Sequence, residues 1–433
     1  RGIRITGEHH DCVTTKMPFS YSHKRELGYL HFNCLPGVKP QLSSHFLEGL
    51  RCLKRDSYYI GDLEEEIPVI PFSCSFCKVS FQTYMLGVVD EDGYLILFDT
   101  NETEMIAEWK AHDNAIFDLA WFEKENKLLT ASGDQTVVLW DLRHQPKLDT
   151  FKGHTGSVRS VCLLKENNAV FATGSRDGNI LVWDTRCNKK DKFISAVNTI
   201  KNAHILPSHS IKRQTLTRRR TKHVPVPHEC QHGITSVIFQ NDHLLASAGA
   251  VDGSIKMWDI RKIYTRKVEP EPVYLFPYSG TCKRKRGYSH LCFDSTYTRL
   301  FASCTDDKIY MYDLAAYNPM PVCHFRGHKN DTFYVKTALS PDNQFLLSGS
   351  SDELAYIWQI GKPSQSPVVL KGHKSEVTGV AWSSYDFFRL VTISDDSRVR
   401  IWRYKPSIAE EQTMDTSLVS GIAERTHQSR ESS

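Results

Sequence analysis

The stretch His228–His232 reads H-E-C-Q-H, which matches the H-E-x-x-H pattern of zinc peptidases. In that pattern two imidazoles project from one face of a helix to bind zinc, and the glutamate acts as a general base. Here Pro225 and Pro227 precede the stretch and Gly233 follows it, so no helix of useful length fits. No third ligand is apparent downstream. The sequence therefore predicts neither a zinc site nor a peptidase.

Other enzyme signatures are absent from the sequence: there is no P-loop, no G-x-G-x-x-G after a strand and no G-x-S-x-G. Cys74 and Cys77 form a C-x-x-C pair, but no second pair follows at zinc-finger spacing. The twelve cysteines are typical of reduced thiols in a cytosolic or nuclear protein. A net charge of +4 argues against wholesale nucleic-acid binding, and no run of 18 apolar residues could cross a membrane. We expect a non-catalytic protein with no metal and no cofactor.

Four histidines could be mistaken for catalytic bases. They follow a small residue in Gly153-His154, Gly327-His328, Gly372-His373 and the variant Ala111-His112. Each precedes a conspicuous aromatic residue by 28 to 30 positions, which indicates a role in a repeat. We expect each histidine to join a buried hydrogen-bond network with an aspartate, a strand serine or threonine, and a tryptophan.

The repeat is visible in seven segments that end in an aromatic residue, and six residues earlier each has an aspartate. The aromatic residues are spaced 42, 43, 75, 54, 46 and 44 positions apart, near the 40–45 residues of a WD40 blade except for two intervals. The pairs are Asp92 and Phe98, Asp134 and Trp140, Asp177 and Trp183, Asp252 and Trp258, Asp306 and Tyr312, Asp352 and Trp358, and Asp396 and Trp402. Three of these aspartates precede glycine, which favours a tight hairpin with positive φ.

These patterns predict an all-β fold, a seven-bladed WD40 β-propeller over residues 46–404, because four-stranded blades must stack in a ring to bury both faces. Little chain follows Trp402, so we expect the segment Phe46 to Leu53 to supply the last outer strand and close the ring. Residues 1–45 form an irregular N-terminal extension in this interpretation. The tail 405–433, rich in Ser, Thr and Glu, is predicted to be disordered.

A basic insertion of about thirty residues, 203–233, separates blades 3 and 4, and positions 205–228 contain no acidic residue. A solvated loop is one interpretation, but such a run is also typical of a nuclear-import signal or a contact for acidic partners, and we favour import. Residues 283–286 form a second basic cluster on the same face. The basic residues of the insertion are Lys212, Arg213, Arg218, Arg219, Arg220 and Lys222.

Three consecutive blades continue their Trp-Asp pair with an arginine two residues later, at Arg143, Arg186 and Arg261. This position begins the turn that leaves the third strand, on the face opposite the histidines. A guanidinium there offers five donors in a planar fork, which suits carbonyls or carboxylates of a partner protein. The alternative is an exposed arginine that pairs with its own aspartate.

The W-D-x-R pattern resembles that of WD40 receptors that dock on the damage-specific DNA-binding adaptor of cullin-4 ubiquitin ligases. Within that group the chain resembles the denticleless protein family over about residues 68–404, most specifically in the segments 176–191, 247–262 and 332–358. The resemblance implies a receptor that recognises proteins bound to the replication sliding clamp and presents them for ubiquitination in S phase and after DNA damage. The implied substrates are a replication-licensing factor, a cell-cycle inhibitor and a histone methyltransferase.

By the same resemblance, Arg186 and Arg261 match the adaptor-contact arginines, together with Trp183, Asp184, Trp258 and Asp259, while Arg143 fits the pattern alone. The family also places a nuclear signal between blades 3 and 4. Residues 1–45 do not resemble the family's start, and its long C-terminal region with a clamp-binding motif is absent from this sequence. The alternative function is a WD40 scaffold of another nuclear assembly, such as a chromatin or RNA-processing complex. Direct contact with DNA stays open.

Overall fold

The computed structural model describes residues 44–62, 67–79, 81–143, 147–189, 193–204, 233–262, 264, 270–280, 286–405 and 418–426. Two short 3-10 helices, Ser44–Gly49 and Lys54–Asp56, lie near the start of this part of the chain. Every other regular element described is a β-strand. Among the described residues, no helix combines the length and apolar character needed to cross a lipid bilayer.

Thirty-two strands are described, and they fall into a repeating order. The first sixteen are β1 (Leu50–Leu53), β2 (Ser57–Tyr59), β3 (Gly61–Asp62), β4 (Ile67–Pro68), β5 (Pro71–Phe76), β6 (Met85–Asp90), β7 (Tyr94–Asp99), β8 (Glu104–Lys110), β9 (Ile116–Trp121), β10 (Lys127–Ser132), β11 (Thr136–Asp141), β12 (Lys147–Lys152), β13 (Val158–Leu163), β14 (Val170–Ser175), β15 (Ile180–Asp184) and β16 (Asn198–Ile200). The others are β17 (Ile234–Phe239), β18 (Leu244–Gly249), β19 (Ser254–Asp259), β20 (Tyr274–Pro277), β21 (Tyr288–Phe293), β22 (Arg299–Cys304), β23 (Lys308–Asp313), β24 (Cys323–Arg326), β25 (Thr337–Leu339), β26 (Phe345–Ser348), β27 (Ala355–Gln359), β28 (Val368–Lys371), β29 (Val377–Trp382), β30 (Arg389–Ser394), β31 (Arg398–Tyr404) and β32 (Val419–Arg425).

Within the described residues, the strands β5 to β31, together with β1, build seven antiparallel four-stranded blades, which confirms the predicted seven-bladed WD40 β-propeller. Blades 1 to 6 take four consecutive strands each, from β5–β8 to β25–β28. The innermost strand of each blade contacts that of the next, and β29 of blade 7 contacts β5 of blade 1, so the ring closes. Its core is the apolar layer between adjacent blades, where large aromatic residues such as Trp183 and Trp258 are fully buried.

The predicted hairpins occur at all seven repeating aspartates of the described chain. The residue after each aspartate has a positive φ, whether it is a glycine, as at Gly93 (86°) and Gly178 (80°), or not, as at Gln135 (72°) and Glu353 (72°). A positive φ at a central turn position matches the twist of a tight hairpin. The aspartate, rather than the glycine, is therefore the constant feature of this turn.

Blade 7 is completed by the beginning of the chain, as predicted from the segment Phe46 to Leu53. Strand β1 pairs with β31, with Arg51 opposite Arg403, and β2 continues the pairing along the same strand. The ends of the repeat are thus joined by hydrogen bonds between distant parts of the chain. Such closure removes the open edge that an unpaired last blade would expose.

The prediction of a disordered tail over 405–433 is wrong for Val419–Arg425. These residues form β32, which pairs with β28 of blade 6 on one side and with β1 of blade 7 on the other. One ten-stranded sheet therefore joins blades 6 and 7. The polar composition of the tail did not indicate this strand, which places Ile422 opposite Lys371 and Ala423 opposite Leu370 and joins the outer strands of blades 6 and 7.

Candidate partner-binding surfaces

The predicted hydrogen-bond network is present in blade 3. His154 contacts Asp177 through Nδ1 (3.0 Å) and Thr173 through Nε2 (2.7 Å), and the indole of Trp183 donates to the same threonine hydroxyl (2.8 Å). His154 is buried, and every side-chain polar atom of the set has a hydrogen-bond partner. A saturated network of this kind fixes the blade and leaves no nitrogen for catalysis.

The same network recurs in blades 2, 4 and 7. The histidine of blade 4 does not have the spacing that identified the others in the sequence. His204 contacts Asp252 (2.7 Å) and Ser247 (2.7 Å) in blade 4, although it lies 54 positions before Trp258 in the sequence. The predicted insertion 203–233 includes Ala203 and His204, which belong to the repeat. The dipeptide Ala203-His204, identical to Ala111-His112, was the available signal. The complete sets are His112, Thr130, Asp134 and Trp140; His154, Thr173, Asp177 and Trp183; His204, Ser247, Asp252 and Trp258; and His373, Thr392, Asp396 and Trp402.

In blade 6 the predicted network does not form. His328 is buried, yet neither ring nitrogen has a hydrogen-bond partner among the described residues. The hydroxyl of Tyr356 donates to Asp352 (2.6 Å), and the indole of Trp358 donates to the carbonyl of Arg326 (2.9 Å). A tyrosine four residues after the aspartate therefore donates to the carboxylate that a histidine contacts in blades 2, 3, 4 and 7. Tyr310 does the same in blade 5, so the sequence carried a signal for this exception.

The predicted docking arginines lie at the ends of the third strands, on the face opposite the histidines. The side chain of Arg186 is 65% exposed and forms a bidentate ion pair with Asp184, through Nε (2.9 Å) and Nη2 (2.7 Å). Arg261 is 63% exposed and pairs with Asp259 in the same way (2.9 and 2.8 Å). The alternative of an arginine paired with its own aspartate is therefore observed in both blades.

This pairing fixes the orientation of each guanidinium and leaves some of its N–H donors available to a partner. The hydrogen bond from Arg261 lowers the pKa of Asp259 to about 2, and that from Arg186 lowers the pKa of Asp184. Both carboxylates are therefore ionised and hold the guanidinium flat against the turn. A guanidinium has five N–H donors, and the bidentate pair engages two, so three still face solvent. The result is a pair of rigid, similarly oriented donor groups on adjacent blades.

The remaining predicted contact residues differ from these two arginines. Arg143 is exposed, but only its backbone amide binds Asp141 (3.0 Å), and within the described residues its side chain forms no ion pair. Trp183 and Trp258 are fully buried, so their side chains are not exposed for contact with a partner. Their indoles lie in the blade networks and hold the strands from which the arginines project. The six basic residues of the insertion and the stretch His228–His232 lie outside the described residues.

The cysteines within the described chain form no disulfide. Burial raises the pKa of the Cys74 thiol to about 12, against the opposing charge of Lys336, and burial also raises the pKa of Cys77. Both thiols therefore stay protonated near neutral pH and are poor metal ligands. The described residues contain no group of three or more histidine, cysteine, aspartate or glutamate side chains placed to hold a metal ion.

A cavity of about 340 Å³ opens on the histidine face at the mouth of the central channel. Side chains from the innermost strands of several blades form it. Below its rim, Lys336 from blade 6 crosses the channel to Asp118 of blade 2 (2.7 Å) and Ser73 of blade 1 (2.8 Å). Sequence analysis missed this cavity, because its residues come from separate blades and each occupies an ordinary strand position.

Comparison with known proteins identifies the repeats and close relatives. The WD domain, G-beta repeat family matches residues 103–141, 145–184, 221–259, 319–359 and 364–403. The chain is 46% identical over 382 residues to the denticleless protein homolog of Danio rerio, covering 87% of this chain and 58% of the relative. It is 45% identical over 390 residues to the Homo sapiens homolog (89% and 53%) and 39% identical over 379 residues to the protein lethal(2)denticleless of Drosophila melanogaster (84% and 49%). The chain thus spans about half the length of the curated relatives it matches.

Proposed function

Because this chain belongs to the denticleless family of WD40 proteins, we propose that it is the substrate-recognition subunit of a cullin-4 RING ubiquitin ligase. In this proposal the propeller binds the damage-specific DNA-binding adaptor with one face and the substrate with the other. The substrates are proteins held on the replication sliding clamp, ubiquitinated in S phase and after DNA damage. The chain supplies no catalytic group; it raises the effective concentration of the substrate near the conjugating enzyme.

The observation that carries the proposal is the pair Arg186 and Arg261. Both guanidiniums are about two-thirds exposed, both are oriented by an aspartate two residues earlier, and they project from adjacent blades on one face. Exposed ion pairs contribute little to folding stability. Two pairs of the same geometry on neighbouring blades are therefore better explained by recognition, because an arginine fork preorganised in this way loses little entropy when it binds carbonyl or carboxylate oxygens.

Co-purification with the adaptor tests this proposal. The double variant Arg186→Ala/Arg261→Ala is expected to lose the adaptor while its thermal unfolding midpoint changes little, because both side chains are exposed. A matched control, Arg55→Ala/Arg326→Ala, removes two exposed arginines elsewhere on the ring and is expected to retain the adaptor. Arg143→Ala should weaken binding less, because no aspartate orients its guanidinium. Undiminished binding by the first double variant would contradict the proposal and favour a scaffold role in another nuclear assembly.

We also propose that the protein acts in the nucleus and that its basic insertion is the import signal. The support is the sequence: six lysines and arginines lie between 212 and 222, with no acidic residue from 205 to 228. Replacing the six with glutamine in a fluorescent fusion should shift the protein to the cytoplasm. Nuclear retention of that variant at the wild-type level would be incompatible with this role. The adaptor assay on purified protein is independent of this result.

A further inference from the structure

The mouth of the central channel on the histidine face combines an aromatic cluster with a cation. Phe72, Phe117 and Tyr334 come from blades 1, 2 and 6, and their ring centroids lie 5.2 to 6.4 Å apart. The guanidinium carbon of Arg159, on β13 of blade 3, lies 3.9 Å from the centroid of Phe117 and 5.2 Å from that of Tyr334. Stacking on aromatic faces fixes the plane of a guanidinium and leaves its edge of N–H donors available.

The charges around this cavity leave Arg159 without a counter-charge. Asp118 is the one acidic residue among the described lining residues, and it is neutralised by Lys336. Burial, reinforced by Lys336, lowers the pKa of His290 to about 4, so this imidazole is neutral at physiological pH. Within the described residues, Arg159 forms no ion pair. Arg176 also lines the cavity, so its net charge is positive. A partly buried cation that has no ion pair within the protein is best stabilised by an anion brought by a ligand.

The volume and composition of the cavity further restrict the kind of ligand that it can bind. The rest of the lining mixes small polar residues with apolar ones, including Phe333, which is 41% exposed at the rim. A volume of about 340 Å³ accommodates one or two side chains rather than a folded surface. The planar fork of Arg159 matches the two oxygens of a carboxylate.

We infer that this mouth is a binding site for a glutamate or aspartate side chain flanked by an apolar residue, in an extended segment of a partner protein. Arg159 binds the carboxylate, and the aromatic cluster holds Arg159 and receives the apolar neighbour. The inference rests on the proposed function in one respect: the segment belongs to a ubiquitination substrate. The histidine face of the propeller, through Arg159, then selects the substrate.

The test uses the full chain and three fluorescein-labelled heptapeptides, Gly-Ser-Phe-X-Phe-Ser-Gly, in which X is glutamate, glutamine or phosphoserine. Fluorescence anisotropy is expected to give at least about tenfold tighter binding of the glutamate peptide than of the glutamine peptide, because the charge-assisted bidentate contact is lost with glutamine. Arg159→Gln should remove this difference. Arg159→Lys should keep only part of it, since an ammonium has no planar fork.

Lys165→Gln is the matched control. Lys165 follows the other end of β13, lies 5.0 Å from the ring of Tyr297, and is exposed, so the variant removes the same charge and the same type of contact. It should bind the glutamate peptide like the wild type. Equal affinity for the glutamate and glutamine peptides, or an unaltered preference in Arg159→Gln, overturns the inference. Tighter binding of the phosphoserine peptide overturns the choice of a carboxylate.

The result is separable from the proposed ligase function. Arg159→Gln should still co-purify with the adaptor, because Arg159 and Arg186 lie on opposite faces. Loss of peptide selectivity with retained adaptor binding supports the inference. Retained selectivity in Arg186→Ala/Arg261→Ala, with undiminished adaptor binding, would count against the docking proposal only. If Phe117→Leu lowers the preference for glutamate without lowering the unfolding midpoint, the aromatic cluster positions Arg159 as inferred.

Discussion

Blades 4 and 6 share the same sequence pattern but hold their third strands in different ways. In blade 4 the carboxylate of Asp252 accepts hydrogen bonds from His204, Ser254 and the backbone, and Lys256 lies 3.2 Å away. In blade 6 Asp352 receives one side-chain bond, from Tyr356, while its second oxygen and both nitrogens of His328 have no partner in the described chain. The comparison teaches that a repeat conserves strand geometry more strictly than it conserves the bonds behind it.

Blade 6 is instead stabilised by pairing with a strand that is not one of its own four. Its outer strand β28 pairs with β32, and through β32 it is joined to blade 7. Blade 4 has no such added strand: β20 is the last strand of its sheet in the described chain. Internal polar bonding and external strand pairing are thus two routes to the same blade stability. The predictions below separate these two routes.

The largest effect is expected from removing the two aspartates in turn. Asp252→Ala leaves His204, Ser254 and Lys256 without their shared acceptor, so the free energy of unfolding should fall by about 3–5 kcal/mol. Asp352→Ala removes one hydrogen bond and an oxygen that was already unpaired, so the loss should be about 1 kcal/mol. Urea titration followed by circular dichroism measures both values. Equal losses would mean that the two blades do not differ energetically.

The hairpin turn that contains each of these two aspartates could be predicted from the sequence. Because the aspartate occurs six residues before each aromatic, the hairpins, the blade count and the closing strand β1 could be predicted. The replacement of His328 by Tyr356 as the partner of Asp352 in blade 6 was harder to predict. It depends on where the hydroxyl of Tyr356 lies after folding. Arg159 was missed for a similar reason, since V-R-S-V-C-L reads as an ordinary strand and its aromatic neighbours are remote in sequence.

The second effect is the contribution of His328, in blade 6, to the pH dependence of stability. Burial lowers the pKa of His328 to about 4, despite the opposing charges of Asp307, Asp352 and Asp306. In the unfolded chain an ordinary histidine has a pKa of about 6.5. Below pH 6.5 the unfolded state therefore binds a proton that the folded state does not, and stability falls until about pH 4. The total loss is about 3 kcal/mol.

Other groups titrate in this range, so the pH effect is measured as a difference. Asp90 and Asp395 have pKa values raised to about 6, mainly by burial, and they oppose the trend of His328. Subtracting the stability of His328→Phe from that of the wild type at each pH cancels these contributions. The difference should become less favourable to the wild type by about 3 kcal/mol between pH 7 and pH 4. A difference independent of pH would show that His328 is protonated or solvated in the native state.

The third effect concerns the external support of blade 6. A Cβ atom at Gly421, in β32, would lie 2.6 Å from the ring of Trp402 and 3.0 Å from the carbonyl of Lys371. Gly421→Val should therefore destabilise the docking of β32 by about 2 kcal/mol. Hydrogen exchange should accelerate in Val368–Lys371 and Leu50–Leu53 and stay unchanged in Tyr274–Pro277. Leu418→Ala, at an exposed neighbouring position, is the control and should leave all three segments protected.

The smallest effect is expected from replacing the unpaired histidine. His328 packs near the ring of Trp358, with centroids 5.4 Å apart, and makes no hydrogen bond that phenylalanine would lose. Burying a ring without unsatisfied nitrogens should offset the small increase in volume, so His328→Phe should change the free energy of unfolding by less than about 1 kcal/mol at pH 7. His204→Phe, the same substitution in blade 4, breaks contacts to Asp252 and Ser247 and should cost about 2 kcal/mol or more, because it leaves Asp252 with one partner fewer in a buried site. If the two variants are equally destabilised, a partner of His328 exists in solution, and blade 6 has the same internal bonding as blade 4.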